Sequence, residues 1–88
     1  MVLRVDKFGN IITNLKRPQL GKDFVIRIAD VSITRLCRNF SEADPGEFFA
    51  LEGSAGYIEL GLNQGSAADR LNVGRGTEIE LESPTVNQ

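Results

Sequence analysis

Glu52-Gly53-Ser54-Ala55-Gly56-Tyr57-Ile58-Glu59-Leu60-Gly61-Leu62-Asn63-Gln64-Gly65-Ser66-Ala67-Ala68 is the stretch on which the reading of this chain turns. A turn of small residues opens it. Tyr57 and Glu59 then point one way and Ile58, Leu60 and Leu62 the other, as a half-buried strand requires. Beyond the strand lie Asn63, Gln64, Gly65 and Ser66, and then alanines. Ser66-Ala67-Ala68-Asp69-Arg70-Leu71 is the one segment with helical character, capped at Ser66 or Gly65 and one or two turns long. A strand ending in small residues, free amides and open backbone N–H groups can grip a planar polar ligand. The same residues also make an ordinary strand followed by a capped turn.

Working outward, every other apolar run reads as extended chain. Val2-Leu3-Arg4-Val5-Asp6-Lys7-Phe8 alternates as a strand, Gly9-Asn10 turns or bulges, and Ile11-Ile12-Thr13-Asn14-Leu15 continues with β-branched residues. Phe24-Val25-Ile26-Arg27-Ile28 and Val31-Ser32-Ile33-Thr34-Arg35-Leu36 flank Ala29-Asp30 as a hairpin. Asp44-Pro45-Gly46 marks a turn ahead of the strand Glu47-Phe48-Phe49-Ala50-Leu51. Thr77-Glu78-Ile79-Glu80-Leu81-Glu82 is the last strand, its glutamates a solvated face. Short strands punctuated by turns, with no crossover helix, predict an all-β fold: a small antiparallel barrel, closed or nearly closed, with one helical turn near residues 66–71. Residues 1–82 form a single domain on this reading, and residues 83–88 a frayed tail.

The chain has 88 residues, enough for one modest core. Hydrophobic residues make up 41 % and charged residues 25 %, which argues against disorder. The net charge of −2 and the lack of a basic run argue against a nucleic-acid partner. No apolar stretch approaches the length of a membrane span and no signal-peptide pattern opens the chain, so a cytoplasmic setting is expected. The single Cys37 ends an apolar run and reads as a buried structural thiol. The chain has no histidine, which removes Ser-His-Asp and Cys-His nucleophiles and most zinc sites. Chemistry must then come from carboxylates, Arg, Lys or Tyr, or from another part of a larger protein.

Three clusters carry candidate chemistry. On an extended backbone Asp6, Phe8 and Asn10 share one face. A carboxylate, an aromatic plane and a carboxamide suit a purine nucleoside or an amino acid, since Asn can pair with an adenine edge. The alternative is a solvated Asp, a core Phe and a turn-forming Gly-Asn. Ser54-Ala55-Gly56 allows close approach to the backbone. Asn63 and Gln64 precede a helix N-terminus that offers N–H groups, unless Ser66 satisfies them itself. Phe40, in a polar loop, is either a base-stacking lid or the plug of an open barrel end.

Taken together, Asp6-Lys7-Phe8-Gly9-Asn10-Ile11-Ile12-Thr13-Asn14 and the stretch from Ser54 to Leu71 resemble the C-terminal domain of S-adenosyl-L-methionine hydroxide adenosyltransferases. That family is related to the fluorinase and chlorinase. The resemblance implies a two-domain subunit assembled as a homotrimer. The substrate would lie between this domain and the N-terminal domain of a neighbouring subunit. It implies that Phe8 and Phe40 enclose the adenine, that Asn10 bonds its edge, and that Asp6 and Ser54 contact the methionine part. Asn63 and Gln64 would complete adenine recognition through their backbones. Ala55 stands where the halide-using relatives carry Arg, which favours water as nucleophile. The implied reaction yields adenosine and L-methionine by attack at C5′, with S-adenosyl-L-methionine as substrate and no cofactor or metal. The water-activating residues would lie on the N-terminal domain, so no residue of this chain is expected to be catalytic and the fragment alone is expected to be inactive.

Three other readings compete. A peptide-binding module of the PDZ type is suggested by Gly65-Ser66-Ala67-Ala68, but the chain lacks the second, longer helix such a module uses. A non-catalytic oligomerisation barrel would keep the fold without a working ligand site. An oligonucleotide-binding barrel needs a basic groove and interleaved aromatics that are absent.

Overall fold

A computed structural model describes residues 1–83. The strands are β1 (Val2–Val5), β2 (Ile11–Lys16), β3 (Val25–Ile28), β4 (Val31–Ile33), β5 (Leu36–Cys37), β6 (Phe48–Glu52), β7 (Tyr57–Leu62) and β8 (Glu80–Glu82). The short helix α1 (Ala67–Leu71) lies between β7 and β8. The protein is thus a small all-β domain with one helical turn where the sequence places it. The Ser66 hydroxyl caps that helix by accepting the Asp69 N–H at 3.1 Å. Asn72, left-handed at φ 56, closes it.

The strands form two sheets rather than one continuous barrel ladder. The larger runs β1-β2-β7-β6-β5 and the smaller β4-β3-β8. The division falls at Thr34-Arg35, where the expected long second arm of the hairpin breaks. Its first half stays with β3 as β4, while Leu36 and Cys37 cross to pair with Ala50 and Leu51. That last pairing is parallel, a departure from the expected all-antiparallel order. The hairpin itself stands, with Ile28 opposite Val31 and Ala29 at φ 53 in the connection. The last strand begins at Glu80, not Thr77. Of the expected tail, residues 84–88 lie outside the described residues. The Ser83 hydroxyl accepts the Gly21 N–H at 2.7 Å.

The main core lies between the two sheets. Ile11, Leu15, Ala50, Ile58 and Leu60 of the large sheet meet Ile26, Ile28 and Ile33 of the small one, closed by Ala67 and Ala68 of α1. Thr13 is the one fully enclosed polar side chain among the described residues, donating to the Ile58 carbonyl at 2.8 Å and accepting the Leu15 N–H at 3.1 Å. It serves a bulged stretch of β2, where the register with β7 shifts between Ile12 and Lys16. A second, smaller cluster of Cys37, Ala43 and Phe49 packs with Leu51 on the opposite face of the large sheet. Cys37 is accordingly a buried free thiol, its pKa pushed up by desolvation.

Candidate functional site

The outward face of the large sheet carries the candidate site. Residues paired across neighbouring strands share a face. One row therefore runs Arg4, Ile12, Glu59, Leu51, Cys37 across all five strands. The next row holds Gly61 beside Phe49. With no side chain at Gly61, the Phe49 ring and the Asn10 carboxamide close over the middle of the sheet, and all three residues are buried. A β-carbon there would lie 2.9 Å from Phe49 Cζ and 3.3 Å from Asn10 Oδ1. A glycine inside a strand often marks such a close approach.

Asn10 reaches Gly61 by a route that differs from the extended face expected of residues 2–8. β1 stops at Val5, and residues 6–10 fold into a tight turn. The Gly9 N–H donates to the Asp6 carbonyl and the Asp6 N–H to the Asn10 carbonyl, both at 3.0 Å, with Gly9 at φ 85. Asp6 braces the turn from inside: Oδ1 accepts the Phe8 and Asn10 N–H groups at 2.9 Å, and Oδ2 accepts Asn10 Nδ2 at 3.1 Å. Burial alone would raise the Asp6 pKa, but the hydrogen bonds from Asn10 and Phe8, helped by Arg4, hold it below its ordinary value. An ionised carboxylate only accepts, so Asn10 must present its NH₂ group to Asp6 and its Oδ1 toward Gly61.

Phe8 does not share that face. It stands at the tip of the turn, 68 % exposed, with the Lys7 ammonium 5.3 Å from its ring centre. Phe40 sits in a 3-10 turn, Phe40–Glu42, edge-to-face on Phe49 at 5.3 Å and 72°. It is 47 % exposed, so one side of its ring stays open. Phe40, Phe49, Gly61 and Asn10 thus form one continuous strip.

The loop after β7 meets the turn of residues 6–10 directly: the Ala68 N–H donates to the Gly9 carbonyl at 2.9 Å. Asn63 is largely occupied within the fold. Its N–H donates to Glu47, its carbonyl accepts from Gly46, and Nδ2 donates to the Ala43 carbonyl at 2.7 Å. Gln64 is exposed beside it at φ 67. Ser54 lies apart from the strip, in the connection between β6 and β7. It borders a cleft of about 290 Å³ with Arg4, Ile12, Tyr57 and Glu59. Burial, reinforced by Asp6 and opposed by Arg4, pushes the Glu59 pKa up. Among the described residues no group of three or more acidic, cysteine or histidine side chains is placed to hold a metal ion.

Residues 1–80 match the family described as the SAM hydroxide adenosyltransferase C-terminal domain. The chain belongs to that family. It is similar to a Thermus thermophilus protein named (R)-S-adenosyl-L-methionine hydrolase, 36 % identical over 80 residues, 91 % of this chain and 30 % of the relative. Among solved structures it resembles an uncharacterized conserved protein from Thermotoga maritima, with a TM-score of 0.77 and 30 % identity over 91 % of this chain and 34 % of that one. A conserved hypothetical protein from Thermus thermophilus gives a TM-score of 0.78 and 34 % identity over 92 % and 33 %. The chain therefore spans about a third of each relative's length. No helix among the described residues is long and apolar enough to cross a membrane.

Sequence reading passed over Arg4, Phe49, Glu59 and Gly61. Gly61 alone carried a legible signal, a glycine in the middle of an alternating strand. Phe49 shares its sequence character with Phe48, and only the pairing register separates the two faces.

Proposed function

We propose that the domain binds the adenosyl group of S-adenosyl-L-methionine for an enzyme that hydrolyses it to adenosine and L-methionine. The observation that carries the reading is Asn10, its carboxamide oriented by Asp6 and packed over Gly61 beside Phe49 and Phe40. An adenine edge offers an N6–H donor to Oδ1 and an N7 acceptor to Nδ2. Phe40 and the exposed Phe8 are the aromatic surfaces available to enclose the base. Asp6 and Ser54 lie toward the methionine part, and Gln64 offers its backbone at the far edge, with Asn63 positioned behind it. The water oxygen attacks C5′, the C5′–S bond breaks, and its electron pair neutralises the sulfonium; the water proton leaves to a base. Alignment and desolvation of the nucleophile are the main tasks.

The base belongs, on this reading, to an N-terminal domain, and a homotrimer places a neighbouring subunit's N-terminal domain over the site. The exposure of Phe8 and Phe40 supports a covered site of this kind. The reaction requires no cofactor, and a cytoplasmic setting belongs to the same reading, supported by the free buried Cys37. Water rather than halide is the nucleophile, supported by Ala55 in the cleft wall. The test is chromatography of S-adenosyl-L-methionine incubated with the full-length protein. Equimolar adenosine and methionine are expected, with at least tenfold loss of kcat/KM for Asn10→Ala. Absence of adenosine, or an unaffected Asn10→Ala, overturns the reading. A non-catalytic oligomerisation module would instead assemble without binding adenosine.

A further inference from the structure

The cleft beside Ser54 holds two charged side chains, Arg4 and Glu59, that lack partners among the described residues. The four ion pairs among those residues are Arg17–Glu52, Arg27–Glu82, Arg35–Glu47 and Arg38–Glu42. Neither Arg4 nor Glu59 enters a hydrogen bond with another side chain there. Yet both are placed with some definition. Arg4 pairs with Ile12 and Ile12 with Glu59, so the two charges flank an apolar residue on one face. Two strand spacings, roughly 9–10 Å, separate their backbones.

Glu59 is also seated from the side. Its carboxylate lies back over Gly53, where a β-carbon would come within 2.0 Å of Oε2. Ser54 follows immediately in the chain. A half-buried carboxylate that no side chain among the described residues pairs or hydrogen-bonds is poorly surrounded until a cation arrives. Across Ile12 the Arg4 guanidinium offers the fork that fits a carboxylate. An anion site and a cation site on either side of an apolar floor match an α-amino acid zwitterion, whose ammonium and carboxylate share one carbon.

We propose that Glu59 and Arg4 select the amino-acid end of the ligand, Glu59 receiving the α-ammonium and Arg4 the α-carboxylate. The assignment rests on the adenosyl-binding reading above and adds to it which residues read the far end. Both are binding residues that position the substrate; neither acts on the reacting bond.

The test is calorimetric titration of the full-length protein, wild type, Glu59→Gln and Arg4→Gln, with three ligands that carry no sulfonium to displace. S-Adenosyl-L-homocysteine has both charged groups, S-adenosyl-3-thiopropylamine keeps only the ammonium, and 5′-methylthioadenosine has neither. Glu59→Gln is expected to weaken the first two roughly tenfold or more and leave the third unchanged. Arg4→Gln is expected to weaken only the first. Equal losses on all three ligands, or no loss on the first, overturn the assignment while leaving adenosyl binding intact. If the wild type binds none of the three, the adenosyl-binding reading falls and takes this one with it. Circular dichroism checks that the variants fold; should Glu59→Gln fail to fold, the Arg4→Gln arm decides alone.

Discussion

Gly9 lies so close to Ser66 that a β-carbon on it would come within 1.9 Å of the Ser66 hydroxyl oxygen and 2.9 Å of the Ser66 Cα. This contact joins the turn of residues 6–10 to the start of α1, and the Gly9 carbonyl seals it by accepting the Ala68 N–H. Two segments more than fifty positions apart in sequence, a separation of 57 between 9 and 66, are thereby fixed against each other.

Gly9→Ala should therefore destabilise the domain by roughly 2 kcal/mol or more, since the backbone at φ 85 is strained for alanine before the clash is added. Ser66→Ala, which removes only the cap, should cost about 1 kcal/mol. Urea unfolding of both variants checks this. Equal midpoints for Gly9→Ala and the parent would show that the contact does not hold the turn.

Ala29 should be improvable. It occupies φ 53 in the β3–β4 connection, where a β-carbon is strained and glycine is not. Ala29→Gly is expected to raise stability by about 0.5–1 kcal/mol, seen as a higher melting temperature. A lower one would mean that the extra backbone freedom of glycine in the unfolded chain outweighs the relief.

Asp6 and Glu59 should give opposite pH dependences. The Asp6 pKa is lowered in the fold, so the unfolded chain takes up its proton first. Its contribution is present above the ordinary value of 3.8 and is lost as the pH falls through the lower folded value. The Glu59 pKa is raised, so its contribution is present below 4.5 and lost as the pH rises through the higher folded value. Denaturation across pH 3–7, about the carboxylate range, should show Asp6→Asn flattening the acid-side loss. Glu59→Gln should be at least as stable as the parent at neutral pH. A Glu59→Gln variant much weaker at pH ~7 would show that the charge has a structural partner.

Thr13→Val should cost about 1–3 kcal/mol despite its near-identical shape. It deprives the Leu15 N–H of its acceptor in a fully enclosed site and removes a donor from the Ile58 carbonyl. Thr13→Ser should recover most of the loss. Thermal unfolding of the pair measures both, and a neutral Thr13→Val would mean that the bulge rearranges to satisfy itself.

The purified 88-residue chain should produce no adenosine from S-adenosyl-L-methionine, because it contains no histidine and the proposed water-activating groups belong to another domain. Turnover by this chain alone would show that its own carboxylates suffice.

Strand positions were legible because alternation survives in sequence: Ile58, Leu60 and Leu62 face the core as the pattern requires. The cap at Ser66 was legible because its chemistry is local. The turn at Gly9-Asn10 is legible, but its start at Asp6 is not: residues 6–8 read as strand, and a carboxylate accepting three hydrogen bonds outweighs their weak strand propensity. The split into two sheets was not legible either. It depends on Leu36 and Cys37 leaving β3 for β6, a choice made by long-range packing. For the proposed site, residue type alone nominates Asp6, Phe8, Asn10 and Phe40 as candidates. Arg4 and Glu59 carry no such mark, because only the register of β1, β2 and β7 aligns them.

Along β7 the side chains alternate between the enclosed Ile58 and Leu60 on one side and Tyr57, Glu59 and Gly61 on the other. Mutational drift therefore meets two interleaved registers with different consequences. Changes at the even positions are filtered by whether the chain still folds, whereas changes at the odd positions are filtered by what the face accommodates. A lineage can in this way trade one ligand for another by editing every second residue, with the scaffold beneath left as it was.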